Sequence, residues 1–337
     1  MNKLPVKIVL FSEVNSKHGF MFLMELLSTP EISIEALITS PVEKLCSYYI
    51  HEPKQINLEK EATSQGIKVF RPSNVNALEF IKELYSLEVD YFIIVNYQQI
   101  FREALLSIPC CGTINFHPSP LPHYAGLDPF FWMAKNGEKA GGVSAIMVNT
   151  IIDGGPLVAQ MPIAMSGKET ALEIRNLHLE KSMELLRVVL RKLIDGKLDV
   201  IQQDLSQRTY YGKVNDKDYF IDWNSDMDTV LQMIRAGHRY PGAFTLSPTG
   251  EKIVILSACA QEFIPETFQG CKPGSVYSGS EGILISTNNG CVKVNSISIN
   301  GEEVEFTSLE QVPSLKGMFL PVLNSNLMAG QVEFVPA

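Results

Sequence analysis

Ile114-Asn115-Phe116-His117-Pro118-Ser119-Pro120-Leu121-Pro122 is a short apolar run carrying two polar side chains, and it closes in a proline-rich turn. On an extended segment, residues two apart point to the same side, so Asn115 and His117 share a face. Tyr124 and Gly126 follow, and then a second apolar segment, Val143 to Ile152, leads into Asp153-Gly154-Gly155-Pro156. That segment reads as a strand finishing beside the first and delivering Asp153 to the other two. An amide, an imidazole and a carboxylate placed together suit acyl transfer. Two N–H donors can hold an oxygen as it becomes negative, and losing one such donor typically costs about 3 to 4 kcal/mol. A histidine can move protons near neutral pH. A lone histidine in a proline-rich turn is usually structural; its company here argues otherwise.

Outward from this stretch, strands and helices alternate. Val6 to Phe11 is a short apolar strand, Gly19 to Leu27 has helical spacing, and Ile32 to Ile38 is again a strand. Leu78 to Ser86 is a helix feeding the apolar strand Tyr91 to Val95. The order implies a Rossmann-like α/β fold, a parallel sheet with helices on both faces. Such sheets bind ligands at the carboxyl ends of their strands, where Asn96 to Phe101 falls. A long helix from Thr170 to about Leu193 stops near Gly196. The polar stretch Gln202 to Lys217 reads as a connection. After it come a helix from about Met227 to Ala236 and short β segments broken by Gly and Asn, which suggest a small barrel or sandwich. The expected division is therefore a catalytic domain over 1–205, a linker over 206–218 and a smaller β-rich domain over 219–337.

The chain has 337 residues, 45% of them hydrophobic and 19% charged, enough for two packed domains and too apolar for disorder. A net charge of -9 opposes a general affinity for phosphate backbones, so nucleic acid is not the expected partner. No apolar stretch approaches the roughly 18 residues of a membrane span, and Met1 to Pro5 leads into a strand without a signal peptide. The six cysteines, Cys46, Cys110, Cys111, Cys259, Cys271 and Cys291, lack metal-site spacing and read as reduced core thiols of a cytoplasmic protein. No metal is expected.

The Asn-x-His-Pro-Ser run, with Pro122, Tyr124, Gly126 and the Asp153-Gly154-Gly155 element, resembles the folate-dependent formyltransferases. The resemblance implies that Asn115 and His117 bind the oxyanion formed when an amine attacks a formyl group, and that Asp153 orients and charges His117. It implies 10-formyltetrahydrofolate as co-substrate, with Tyr97, Gln98, Gln99, Ile100 and Phe101 forming one wall of the folate pocket through backbone groups and Thr150, Ile151 and Ile152 contributing beside Asp153. Asp222-Trp223, Arg235-Ala236, Pro241-Gly242-Ala243 and Lys272-Pro273-Gly274 resemble the carboxyl-terminal domain of methionyl-tRNA and sugar N-formyltransferases, an OB-like barrel.

Departures from the family bear on the acceptor, a small-molecule amine. The loop Ser12-Glu13-Val14-Asn15-Ser16-Lys17-His18-Gly19 has a single glycine, and Glu13 would repel a phosphate, which argues against a glycinamide ribonucleotide. Pro41 to Glu61 sets Glu43, Glu52, Glu59 and Glu61 against Lys44, Lys54 and Lys60, a poor tRNA clamp. The family's usual Tyr-Arg-Gly is Tyr124-Ala125-Gly126, and Asp128 either caps the helix after it or attracts a cationic acceptor. The expected acceptor is an amino sugar on a nucleotide carrier. An amino acid, hydroxyornithine, a peptide, methionyl-tRNA, or simple hydrolysis of the folate are the alternatives. Oligomeric state stays open, a homodimer included.

Overall fold

The computed structural model describes residues 4–41, 43–247, 250–262, 266–279, 282–299 and 301–307; the expected β-rich domain's last part, 308–337, lies outside them. The chain forms two compact units. One comprises Met1–Pro129, Ala140–Ala164 and Asn176–Gly212, the other Phe130–Lys139, Met165–Arg175 and Lys213–Ala337.

The first unit runs β1 (Val6–Phe11), α1 (Lys17–Leu27), β2 (Ile32–Ile38), α2 (Leu58–Ser64), β3 (Lys68–Phe70), α3 (Leu78–Tyr85), β4 (Tyr91–Val95), α4 (Glu103–Leu106), β5 (Gly112–His117) and β6 (Ala125–Gly126). After α5 (Pro129–Lys135) it continues with β7 (Ala140–Met147), β8 (Leu157–Ala164), most of α6 (Ala171–Asp195) and β9 (Tyr210–Tyr211). Seven strands form one sheet in the order β3-β2-β1-β4-β5-β7-β8. From β3 through β5 the strands are parallel, as expected. The last two are not: β7 runs antiparallel to β5, and β8 antiparallel to β7. No crossover helix separates β7 from β8, and only antiparallel neighbours can be joined without one.

The strand order reverses direction between β1 and β4, the position where open α/β sheets hold ligands beyond the carboxyl ends of their strands. Val9, Phe11, Phe92 and Ile94 from these two strands pack with Phe80, Phe101 and Leu105 in one buried cluster. Ser16 caps α1 by accepting the Gly19 N–H at 2.9 Å, and the helix buries Phe22, Leu23 and Leu26. Helix α6 stops at Gly196, whose φ of 69° suits glycine, while the Lys197 N–H donates back to the Lys192 carbonyl at 3.0 Å.

In the second unit, α7 (Met227–Gly237) covers an antiparallel sheet in the order β10 (Ala243–Leu246), β11 (Lys252–Ala260), β14 (Cys291–Ile299), β13 (Gly282–Ser286), β12 (Val276–Gly279), with β15 (Glu302–Glu305) also paired to β14. This is the β-rich domain expected; among the described residues no strand pairing closes it into a ring. Trp223 from the Asp222-Trp223 motif is fully buried among Ile221, Val230, Ile234 and Ile255, and its indole N–H donates to Thr245 Oγ1 at 3.1 Å.

The cysteines correct one expectation. All six are free, but only Cys46 and Cys291 are buried; Cys110, Cys111, Cys259 and Cys271 are exposed, two of them in the loop before β5 rather than on a packed face. No described helix is long and apolar enough to cross a membrane.

Candidate active site

Strand β5 ends at the carboxyl edge of the sheet with Asn115 and His117, and both approach Asp153. The Asn115 Nδ2 donates to Asp153 Oδ1 at 3.4 Å, and His117 Nδ1 lies 3.6 Å from the same oxygen. These are open distances of the kind that tighten when a ligand closes the site. His117 Nε2 lies 2.9 Å from the Tyr124 carbonyl. A carbonyl only accepts, so Nε2 carries a proton, and Nδ1 is the nitrogen that faces Asp153. His117 is 7% exposed, deep enough to strengthen its attraction to a carboxylate.

Asp153 arrives by a route the sequence did not foretell. The expected strand Val143 to Ile152 ends at Met147, and because β7 is antiparallel to β5 its end lies beside Ile114, away from His117. Residues 148–156 fold back, and Asp153 sits at φ 52°, a left-handed conformation that a short polar side chain tolerates. Its Oδ2 accepts the Gly126 N–H at 2.9 Å. Gly155 is pressed so closely on β7 that a Cβ would fall 1.7 Å from the Met147 carbonyl oxygen. Gly126, at φ 100°, would place a Cβ 2.1 Å from the Tyr211 carbonyl. Only glycine fits at either place.

Several residues that hold this turn went unrecognised in the sequence. Gln203 Nε2 donates to the carbonyls of Asp153 at 2.9 Å and Gly155 at 2.6 Å, and Arg208 donates to that of Ile152 at 2.8 Å. Thr209 Oγ1 accepts the Tyr124 N–H, and β9 pairs with β6, stacking the Tyr211 ring on Tyr124 with centroids 5.0 Å apart. Most of these bonds end on backbone atoms, which leave no mark on side-chain pattern. Ser144 and Gln160 brace the proline turn: Ser144 Oγ donates to the Ser119 carbonyl and Gln160 Nε2 to that of Leu121, both at 2.7 Å.

The expected folate-binding residues divide. Tyr97 and Phe101 direct their rings into the cluster around Phe11, with centroids 5.6 and 4.8 Å from it. Gln99 bridges to Val75 N–H and the Pro72 carbonyl. The Gln98 N–H meets Glu13, and Ile100 is exposed. Phe101 and Tyr97 are thus structural through their side chains, and in the backbone of this segment the Gln98 N–H and the Asn96 and Ile100 carbonyls are bonded within the protein. Ile151 and Ile152 are each 46% exposed and Thr150 is exposed, an apolar shelf beside Asp153.

Two further features border the loop after β1. A cavity of about 280 Å³ opens beside Val14 and Asn15, with Gln55, Asn57 and Arg71 on its wall. Asp128 turns out to be held by Tyr48, whose buried hydroxyl donates to it at 2.6 Å. It is therefore not an open attractant for a cation. Elsewhere, donor atoms of Asp90, Cys110 and Cys111 lie within 4.8 Å of one another, a proximity that spacing had not suggested, although the other Asp90 oxygen already accepts the Lys7 N–H.

Comparison with known proteins agrees with the geometry. Residues 16–190 match the family described as "Formyl transferase" and residues 213–308 match "Formyl transferase, C-terminal domain". The chain is similar to the methionyl-tRNA formyltransferase of Thermotoga neapolitana, 30% identical over 72% of this chain and 76% of that protein. Among solved structures, an N-formyltransferase from Helicobacter canadensis in complex with folinic acid and dTDP-3-aminofucose superposes with a TM-score of 0.64 at 18% identity, covering 86% of this chain and 99% of the other. HypX from Aquifex aeolicus with tetrahydrofolic acid gives 0.60 at 20%, covering 92% of this chain, which spans only 47% of HypX. At those identities the two structures speak for the fold.

Proposed function

Because this chain belongs to the formyl transferase family, and so is a folate-dependent N-formyltransferase, we propose that it formylates a nucleotide-linked amino sugar, using 10-formyltetrahydrofolate. The observation that carries the chemistry is the meeting of Asn115, His117 and Asp153 at the carboxyl edge of the sheet.

The folate supplies a formyl carbon bonded to nitrogen. Asn115 Nδ2 and an N–H of neutral His117 hold the formyl oxygen as the acceptor nitrogen forms its new C–N bond. His117 takes the proton shed by the acceptor on its other ring nitrogen, Asp153 stabilises the imidazolium so formed, and that proton passes to the folate nitrogen as the old C–N bond breaks. No covalent enzyme intermediate is needed. The exposed apolar shelf of Ile151 and Ile152 fits the flat face of a ring.

Two observations favour the sugar. The charge-balanced segment Pro41 to Glu61 is tied down, with Asn15 bonded twice to the Cys46 backbone and Tyr48 bonded to Asp128, so it makes neither a basic nor a free arm. The cavity beside Val14, about 280 Å³, has room for a small ligand, with Arg71, bonded to Glu59 and to the Ser40 carbonyl, on its wall. The second reading is methionyl-tRNA, which the name of the 30% identical relative favours. We place the reaction in the cytoplasm, which suits six free cysteines.

Incubation with 10-formyltetrahydrofolate and a panel of dTDP-amino sugars, amino acids, hydroxyornithine and methionyl-tRNA tests the proposal. Mass spectrometry should find a formamide on a sugar. Formylation of tRNA with no sugar accepted would replace the substrate, and formate release without any amine would replace the reaction.

A further inference from the structure

One buried acid at this end of the sheet has no part in the triad. The register aligns Phe11, Ile94 and Asn115 across β1, β4 and β5, so two residues further on Glu13, Asn96 and His117 follow along one edge. The Glu13 N–H donates to the Asn96 carbonyl at 3.0 Å, extending the pairing of β1 with β4 beyond both strands and across the point where strand order reverses. Glu13 and His117 flank Asn96 over two strand spacings, about 10 Å of sheet edge.

Glu13 is 6% exposed. One of its oxygens accepts the Gln98 N–H at 3.3 Å, while Oε2 is buried with no hydrogen-bond partner. Asn96 Oδ1 is likewise buried and unpartnered, on a residue held at φ 51° with its Nδ2 toward the Cys46 sulfur, 3.6 Å away. Burial raises the Glu13 carboxyl above its usual range, against the neighbouring Ser40 hydroxyl, whose proton the Lys44 carbonyl also accepts, the Gln98 amide hydrogen bond and the charge of Lys44. Two acceptor atoms without a donor, on the two residues joined at the ligand end of the sheet, call for a group that brings several N–H bonds. A primary amine does so, and as an ammonium it also offsets the buried charge.

We propose that Glu13, with the Asn96 side-chain oxygen, receives the amino group of the acceptor and selects a primary amine over a hydroxyl in the same position. This rests on the formyl-transfer reading and is independent of whether the amine belongs to a sugar. It also gives the acid of the loop after β1 a purpose: it draws a cation to the edge that holds the triad.

The test compares wild type, Glu13→Gln and Glu13→Ala. Glutamine keeps an oxygen for the Gln98 N–H and loses the charge, so it separates support of the 96–101 segment from recognition of the amine. With dTDP-3-aminofucose and the other amines of the panel, and with their hydroxyl counterparts, wild type should bind the preferred amine at least tenfold more tightly than the matching alcohol by titration calorimetry. Glu13→Gln should erase that preference and raise KM for the amine about tenfold, leaving kcat and KM for the formyl donor within twofold. A matching rise in donor KM would assign Glu13 to the folate wall and overturn the proposal. So would a wild type with no preference for any amine over its hydroxyl counterpart, whether or not formamide forms. Amine-independent formate release would instead strike the formyl-transfer reading, with the binding preference still measured separately.

Discussion

Gln203→Ala removes a side chain that touches neither of the two donors at the site, yet it should slow the reaction. The Gln203 amide is shared between the carbonyls of Asp153 and Gly155, at 2.9 and 2.6 Å, and the turn between them sets the position of the Asp153 carboxylate. Each bond is worth about 1 kcal/mol net. If the full loss, about 2 kcal/mol, falls on the arrangement that meets the transition state, then at about 1.4 kcal/mol per decade the rate falls about 30-fold. The assay is single-turnover formamide formation at saturating folate and amine, beside circular dichroism to confirm the fold. KM should change less than kcat, because the Gln203 amide positions the Asp153 charge and does not itself hold substrate. A folded Gln203→Ala protein retaining at least half the wild-type rate would refute the argument that this side chain holds the catalytic turn.

Stability should depend on His18. Burial, and secondarily His178, depress its pKa to about 3. Its folded value lies below the unfolded one, so stability is fully present above about pH 6.5 and is lost as pH falls toward 3, by about 1.4 kcal/mol per pH unit. Urea unfolding across that window should show the slope, and His18→Gln should flatten it; an equal slope in both proteins would contradict the assignment. We also propose the division into a domain over 1–205 and another over 219–337. Since β9 is bonded to β6, limited proteolysis should cut first at the exposed residues between Gly212 and Asn215, and a stable fragment ending near residue 150 would contradict it.

Much of this was legible because side-chain pattern carries it. The apolar runs at Val6–Phe11 and Tyr91–Val95 could only be buried strands, and Asn115 and His117 two apart on a strand had to share a face. Asp153 was legible as a partner but not as geometry, for its turn depends on a left-handed backbone at Asp153 and on glycines pressed against carbonyl oxygens. The reversal of β7 was hidden because strand direction depends on the connection, not on composition. Glu13 could be read as an acid in a loop, but its burial beside Asn96 emerges only when β1 and β4, far apart along the chain, become neighbours in the sheet.

The most direct measurement is amine-dependent release of tetrahydrofolate by purified His117→Ala and Asn115→Ala proteins, set beside Asp153→Asn and wild type. With folding confirmed by circular dichroism, each replacement should lower the rate by about 100-fold or more, since each removes a donor or the charge that sustains one. A folded His117→Ala protein working at near wild-type rate would contradict the central claim that the cluster at the end of β5 carries the formyl transfer.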